Sequence, residues 1–261
     1  SVARIQGAIS KNKTKLNTLL NVDFNPRAEI VKDNPDDISD IHYGNNDVAI
    51  GDTDHGTHVA GIIAAIRNNK LGVNGIAENV KIMALKVVPN GDERDKDIAL
   101  AIRYATDNGA RIINMSFGKD FSQQKSWVDQ AMQYAADHDV LLVHAAGNSL
   151  SNNDWGRNFP NRKLDAPNKQ GDRDISTWVE VGASSAFKTE ALPAPFSNYG
   201  QAQVDLFAPG FKIASTVPGN EYAIFSGTSM AAPSVSGVAA LILSQRPNLN
   251  GKELKDALLS S

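Results

Sequence analysis

Ser226-Gly-Thr-Ser-Met-Ala-Ala-Pro-Ser-Val-Ser-Gly-Val-Ala-Ala-Leu-Ile-Leu243 is a turn of small residues running straight into a helix apolar on nearly every side. Such a helix belongs in the centre of a fold, and Val235, Val238 and Ile242 keep helical spacing. Pro233 lies close enough to the start to forfeit at most one opening hydrogen bond. The pattern predicts a helix start that coincides with Ser229. A hydroxyl there sits in a positive field near unpaired N–H groups, which suits an oxygen that carries or delivers negative charge. Alone, the serine reads as an N-cap. Gly227 before it and Met-Ala-Ala-Pro after it point further, because close approach by an outside molecule requires small neighbours and a cap does not.

Around this stretch the chain has 261 residues, enough for one α/β domain with a full core. A formal charge of −3 leaves no basic footprint, so nucleic acid or an acidic membrane surface is not an expected partner. The absence of cysteine removes disulfides, thiol catalysis and thiolate metal sites. No apolar run reaches the roughly 18 residues of a membrane-spanning helix, so no transmembrane segment is expected. With Ser1 in first place and no signal-type segment, the chain reads as a processed or excised part of something longer.

Ile5, Ile9, Leu16, Leu19 and Leu20 among lysines give residues 1–20 an amphipathic pattern of one helix or two. From Asn21 to Asp54 the chain carries seven aspartates after position 32 and two Asn-Pro pairs. That composition reads as a solvated loop, or alternatively as a cation-binding one. His55-Gly-Thr-His-Val-Ala-Gly then opens a helix with Val59, Ile62, Ile63 and Ile66 on one face. Apolar runs at 80–88, 111–117, 140–146 and 178–183 alternate with helical patterns at 92–108 and 124–137. Strands apolar throughout, alternating with helices, predict an α/β, doubly wound, mostly parallel sheet with helices on both faces. Short strands near 204–207, 213–217 and 222–225 precede the central helix, and Asn250 caps a last helix through Leu259.

Serine needs a base, and all five histidines (42, 55, 58, 138, 144) precede Ser229. Gly227-Thr-Ser-Met-Ala nearly matches the nucleophile elbow of α/β-hydrolases, but that architecture places its histidine after the serine. Histidine before serine leaves the chymotrypsin order, on β-barrels that the helical signals contradict, and the subtilisin order, on an α/β fold. His55-Gly-Thr-His-Val-Ala-Gly, His144-Ala-Ala-Gly-Asn-Ser149 and Gly227-Thr-Ser-Met-Ala-Ala-Pro233 resemble three of the four signatures of the subtilisin-like serine proteases. The likeness runs over about residues 55–260 and includes Arg111-Ile-Ile-Asn-Met-Ser-Phe-Gly118 and Phe207-Ala-Pro-Gly210.

The resemblance implies a serine endopeptidase acting on polypeptides, with Ser229 as nucleophile, His55 as general base and the Asn148 amide as oxyanion donor. His58 would be a structural residue of the core. Substrate would lie extended against Ser116, Phe117 and Gly118, and Ala145, Ala146 and Gly147 would line the pocket beside the cleaved bond. The chemistry requires no cofactor. The loop 67–75 is similar to the family's calcium loop, with the Asn69 side chain and the carbonyls of Arg67, Leu71 and Val73 as donors, short of the six to eight oxygens that calcium takes. Secretion, or attachment to the cell envelope, is implied.

The fourth signature, an apolar strand ending in Asp-Ser/Thr-Gly ahead of His55, is missing. Asp23 follows an apolar run, but Phe-Asn-Pro stands where the glycine turn belongs, and Asp52 and Asp54 are too close in sequence to His55. The expectation is that residues 1–54 are an insertion ahead of a peptidase domain at 55–261. The aspartate and its inner strand would then lie in the upstream part of the chain's own precursor. A non-catalytic peptide-binding protein on the same fold is the alternative. A nucleotide-binding α/β protein is disfavoured by the lack of any phosphate-binding glycine fingerprint.

Overall fold

The structure, a computed structural model, describes residues 2–18, 20–21, 23–24, 26–88, 93–156, 158–187 and 192–260. Six α-helices are described: α1 (Val2–Asn17), α2 (Asp54–Ala64), α3 (Asp95–Asp107), α4 (Lys125–Asp137), α5 (Thr228–Gln245) and α6 (Gly251–Leu259). The strands are β1 (Ile112–Met115), β2 (Leu141–Ala145), β3 (Trp178–Ser184), β4 (Leu206–Pro209), β5 (Ile213–Val217) and β6 (Glu221–Phe225). β1 to β4 form a parallel sheet in sequential order, and β5 pairs with β6 in a separate antiparallel hairpin.

The doubly apolar strands are used as expected. Leu141, Val143, Val179 and Val181 turn to one face and pack against Ala231, Val235 and Ala239 of α5 and Leu254 of α6. Leu142 and Trp178 turn to the other, against Ile98 and Ile102 of α3 and Val128 and Met132 of α4. The period-2 alternation of side chains thus gives one sheet two cores, each covered by helices. Asn250 caps α6 with a complete capping box: its side chain accepts from Glu253 N, and Asn250 N donates to Glu253 Oε2, both at 2.9 Å.

Four expectations change. Residues 80–88 form no strand; Ile82, Met83 and Leu85 are exposed. β1 is an edge strand, paired on one side with β2 and on the other with no strand among the described residues, so no described strand offers the run a partner. The central helix α5 is not buried all round, since Val238 and Leu241 are exposed. The expected helix at 1–20 exists as α1, but Ile5, Ile9 and Leu16 on it stay exposed. Leu19 and Val22 lie outside the described residues, as does the expected helix start at Asp92.

The fourth change concerns the acidic loop, which is not simply solvated. Asp33 is buried, takes a hydrogen bond from Lys96 at 2.8 Å and pairs with Arg27. Arg27 also donates to Asp97 at 2.7 Å, and Tyr43 donates to the same carboxylate. Lys96 and Asp97 belong to the first turn of α3, so a knot of charge clamps residues 27–43 onto that helix. Burial alone would raise the Asp33 carboxyl, but the hydrogen bonds from Lys96 and Arg27 outweigh it and hold it below the ordinary carboxylate range. Pairing is what makes these buried charges tolerable.

Candidate active site

The carboxyl ends of β1 and β2 and the N-terminus of α5 meet at one edge of the sheet, the place where parallel α/β folds present chemistry. His55 in the first turn of α2, Asn148 after β2, and Ser229 and Met230 at the start of α5 line one open pocket of about 460 Å³, with Ile224 to Gly227 completing it. Three residues separated by more than 170 positions in sequence are therefore brought to a single cleft.

α5 starts one residue earlier than expected, at Thr228, with Gly227 at its cap position and no side-chain capping bond. Ser229 is thus inside the first turn and is not an N-cap. Its Oγ donates to Ser116 O at 3.2 Å, while Ser116 Oγ donates to Ser229 O at 2.9 Å. This reciprocal pair ties the end of β1 to the start of α5. No hydrogen bond joins Ser229 to His55.

Asn148 is oriented by its neighbour. Its Oδ1 accepts from Thr228 N at 2.8 Å and Thr228 Oγ1 at 3.1 Å. A backbone N–H can only donate, so the oxygen end is fixed and the Nδ2 hydrogens are left to the pocket. Thr228 Oγ1 in turn accepts from Gly147 N at 3.0 Å. Gly147 itself sits at φ +104°, with Asn198 Nδ2 2.5 Å from where a Cβ would stand, so the turn requires glycine.

His55 is solvent-exposed at the pocket. Desolvation by the surrounding protein lowers its pKa below the ordinary 6.5; the nearby His58 acts in the same sense and Asp52 opposes both. Among the described residues no carboxylate forms an ion pair with His55. Asp23, the sequence candidate, lies in an exposed turn. His58 is fully buried, its Nε2 3.1 Å from both Ile213 O and Ala223 O and its ring stacked on Phe225 at 4.4 Å. It belongs to the packing of α2 on the hairpin.

The two candidate substrate walls, Ser116–Gly118 and Ala145–Gly147, are joined at their base. Asn158 donates to Ala146 O at 2.9 Å, and its Oδ1 lies 2.8 Å from where a Gly118 Cβ would stand. Lys119 pairs with Phe159 alongside. Ala145 and Ala146 are buried, so they offer the pocket main chain rather than open space above a small side chain. Phe117 is half-buried, with its ring edge-on to His144 at 6.4 Å.

In the 67–75 loop Asn69 Oδ1 already accepts from Leu71 N at 2.9 Å, and the Arg67 guanidinium donates to Gly75 O. The loop offers a cation an adjacent positive charge and no carboxylate of its own, a weak fit to calcium. Among the described residues no group of three His, Asp or Glu side chains is placed to hold a metal ion. No helix among them is long and apolar enough to cross a membrane.

Sequence reasoning missed Thr228, Asn158, Asn198 and Glu180. One of these had a signal: Glu180 is a charge in the middle of the apolar run 178–183, as His144 is in 140–146, and the two stand opposite each other in the β2–β3 register. Asn158 sits in a polar stretch that has no periodicity to read.

The sequence profile described as the Subtilase family matches residues 9–261. The thermophilic serine proteinase of Bacillus sp. (strain AK1) is 40% identical over 205 residues, covering 78% of this chain and 45% of that protein. Subtilisin DY of Bacillus licheniformis is 38% identical over 208 residues, covering 79% of this chain and 69% of that one. The chain thus spans about half the length of the first of these relatives. A cold-adapted subtilisin-like serine proteinase of known structure superposes with a TM-score of 0.65 at 32% identity, over 79% of this chain and 67% of that chain. The S41 psychrophilic protease superposes with a TM-score of 0.69 at 30% identity, over 84% and 72%. With a profile match over nearly its whole length, the chain belongs to the subtilase family.

Proposed function

We propose that the chain carries the nucleophile, base and oxyanion site of a serine endopeptidase that hydrolyses polypeptides through an acyl-enzyme. The observation that supports it most is the convergence of His55, Asn148 and Ser229 on one cleft, with Asn148 Nδ2 free to donate. Ser229 Oγ turns from Ser116 O and attacks the scissile carbonyl carbon as His55 takes its proton. The oxyanion accepts from Asn148 Nδ2 and Ser229 N–H, charge-assisted bonds that strengthen as negative charge develops. His55 returns the proton to the leaving amine, and water repeats the sequence on the acyl-enzyme. Substrate is held as an extended strand by the main chain of Ser116–Gly118.

The carboxylate that orients His55 is assigned, in this reading, to an upstream part of the chain's own precursor. The edge of β1 that no described strand pairs and the exposed residues Ile82, Met83 and Leu85 in the run 80–88 support it, since one inserted parallel strand would satisfy both. Action outside the cytoplasm accompanies the assignment, to be tested by fractionating producing cells. A structural calcium in 67–75 is a separate proposal: a melting temperature unchanged by a chelator would remove it.

A second reading, a peptide-binding scaffold without catalysis, draws support from the Ser229–Ser116 bond and the absence of an ion pair to His55. A fluorophosphonate decides between the two. One adduct by intact mass on the parent, and none on Ser229→Ala, is expected for the peptidase; no adduct on the parent, even with the upstream segment restored, leaves the scaffold. Labelling is expected to be slow, since loss of the aspartate alone lowers turnover in such triads by roughly 10⁴-fold.

A further inference from the structure

We infer that Asp95 is a positioning residue for the substrate strand: through a buried ion pair with Lys119 it fixes the far end of residues 116–118, so that an extended peptide pairs there. The inference rests on the proposed peptidase reading.

The near end of this strand is fastened to the helix that carries the nucleophile. Ser116 Oγ donates to Ser229 O at 2.9 Å. Asn114 Nδ2 donates to Ser116 Oγ at 2.9 Å, and Asn114 Oδ1 accepts from Ser236 Oγ at 3.0 Å. Between this anchor and Lys119 lie only Phe117 and Gly118, and among the described residues no main-chain hydrogen bond engages either. Their N–H and C=O groups are the kind a peptide strand pairs with, and their direction depends on what holds position 119.

Lysine is seldom buried unless its charge is met. The Lys119 side chain is 9% exposed; its Nζ lies 2.9 Å from Asp95 Oδ1 and donates to Glu93 O at 2.6 Å. Asp95, its side chain 4% exposed, also accepts from Ser122 Oγ at 2.9 Å and from Gln124 N at 2.8 Å. One carboxylate thus gathers the turn 119–124 that leads from the substrate wall into α4. Asp95 opens α3, and the next two residues, Lys96 and Asp97, are bound to Asp33 and Arg27, so the anchor is itself fixed. The main chain of Lys119 pairs with Phe159 in both directions, at 2.9 and 3.0 Å, beside the Asn158 that reaches Ala146 O. Position 119 therefore registers the first substrate wall against the second. Removing either charge leaves the other buried and unmatched, which frees the far end of the strand. The partners of Asp95 and of the Lys119 ammonium do not include His55, Asn148 or Ser229, so the loss falls on peptide binding and spares the serine's chemistry.

The test uses diphenyl phosphonates with leucine beside the phosphorus, either alone or at the end of a four-residue peptide. In both, Ser229 Oγ forms a bond to phosphorus and phenol leaves with the serine's proton. Adduct formation on the chain as expressed is followed by intact mass over a range of probe concentrations, with a plain fluorophosphonate as reference. On the parent the four-residue probe is expected to label at least about tenfold faster than the one-residue probe, because only the longer one reaches the strand. In Asp95→Asn and in Lys119→Met that advantage is expected to shrink to about twofold or less, as a rise in the half-saturating concentration with the maximal rate kept. The one-residue and plain probes are expected to label these variants as they label the parent. The double variant leaves neither charge buried alone, and it is expected to lose no more than either single change. No advantage on the parent, or an advantage kept in the folded double variant, overturns the inference and leaves the peptidase reading standing. Equal slowing of all three probes marks a general loss of structure and overturns it too. Silence from every probe on the parent, the plain one included, removes the peptidase reading and the inference with it.

Discussion

Thr228 decides which end of the Asn148 amide faces the cleft, through one backbone and one hydroxyl hydrogen bond to Oδ1. Asn148→Ala is expected to lower turnover roughly 100- to 1000-fold with little change in KM, because the lost donor acts mainly when charge has developed. Thr228→Val keeps the backbone donor and loses the hydroxyl, so its expected loss is smaller, roughly tenfold. Steady-state kinetics on both variants orders them. For His55 the sign is fixed by its role: a general base must be neutral, and its pKa is lowered from 6.5 by desolvation first. Activity is therefore expected to hold down to pH 6.5 and to fall only below it; an acid limb centred above 6.5 would contradict the reading. His55, Asn148 and Ser229 were legible because each sits in a short local motif. Thr228 and Asn158 were not, because their roles are contacts across 80 and 12 positions that no periodicity records.

α2 is held to the β5–β6 hairpin by contacts that leave no slack: Ser215 Oγ donates to His58 O at 2.7 Å and Thr216 Oγ1 to Thr57 O at 3.0 Å. Burial is the first cause lowering the His58 pKa, with its hydrogen bonds to two carbonyls opposing. The unfolded chain therefore takes up this proton first. The stability involved is fully present above pH 6.5 and is expected to decline as pH drops below it, seen as a falling melting temperature. Comparing melting with brief labelling separates this loss from the protonation of His55. At α3, Asp33→Ala is expected to cost about 2–3 kcal/mol in denaturant unfolding, less than the 3–5 of many buried pairs. Lys96 keeps Asn34 O at 2.6 Å and Asp40 at 3.9 Å as partners, which softens the loss. The sequence revealed the acid content of this segment but not its clamp, since nothing local marks Asp33 off from the exposed aspartates around it. Helices α3 and α4 were read to within three residues at their starts, as amphipathic periods allow.

At the scale of the molecule, the alternation of apolar strands and amphipathic helices carried the architecture, because a parallel sheet covered on both faces leaves that pattern in every strand. What it could not carry was adjacency. An apolar run at 80–88 reads as a strand whether or not a neighbour stands beside it, and here no strand among the described residues pairs with the outer edge of β1. Supplying the upstream segment in trans is expected to lower the exposure of residues 80–88 and of the β1 edge to amide hydrogen exchange; unchanged exchange at both would argue against an inserted strand.

That open edge has a consequence for the chain in a test tube. Among the described residues no strand pairs with the outer edge of Ile112–Met115, and an unsatisfied edge accepts an extended segment of another molecule. In a concentrated solution the most abundant such segment is another copy, whose 80–88 run is in no described strand and exposes Ile82, Met83 and Leu85. The purified chain is expected to scatter light increasingly with concentration, and to become cloudy at levels where a closed-edged sheet of similar charge stays clear.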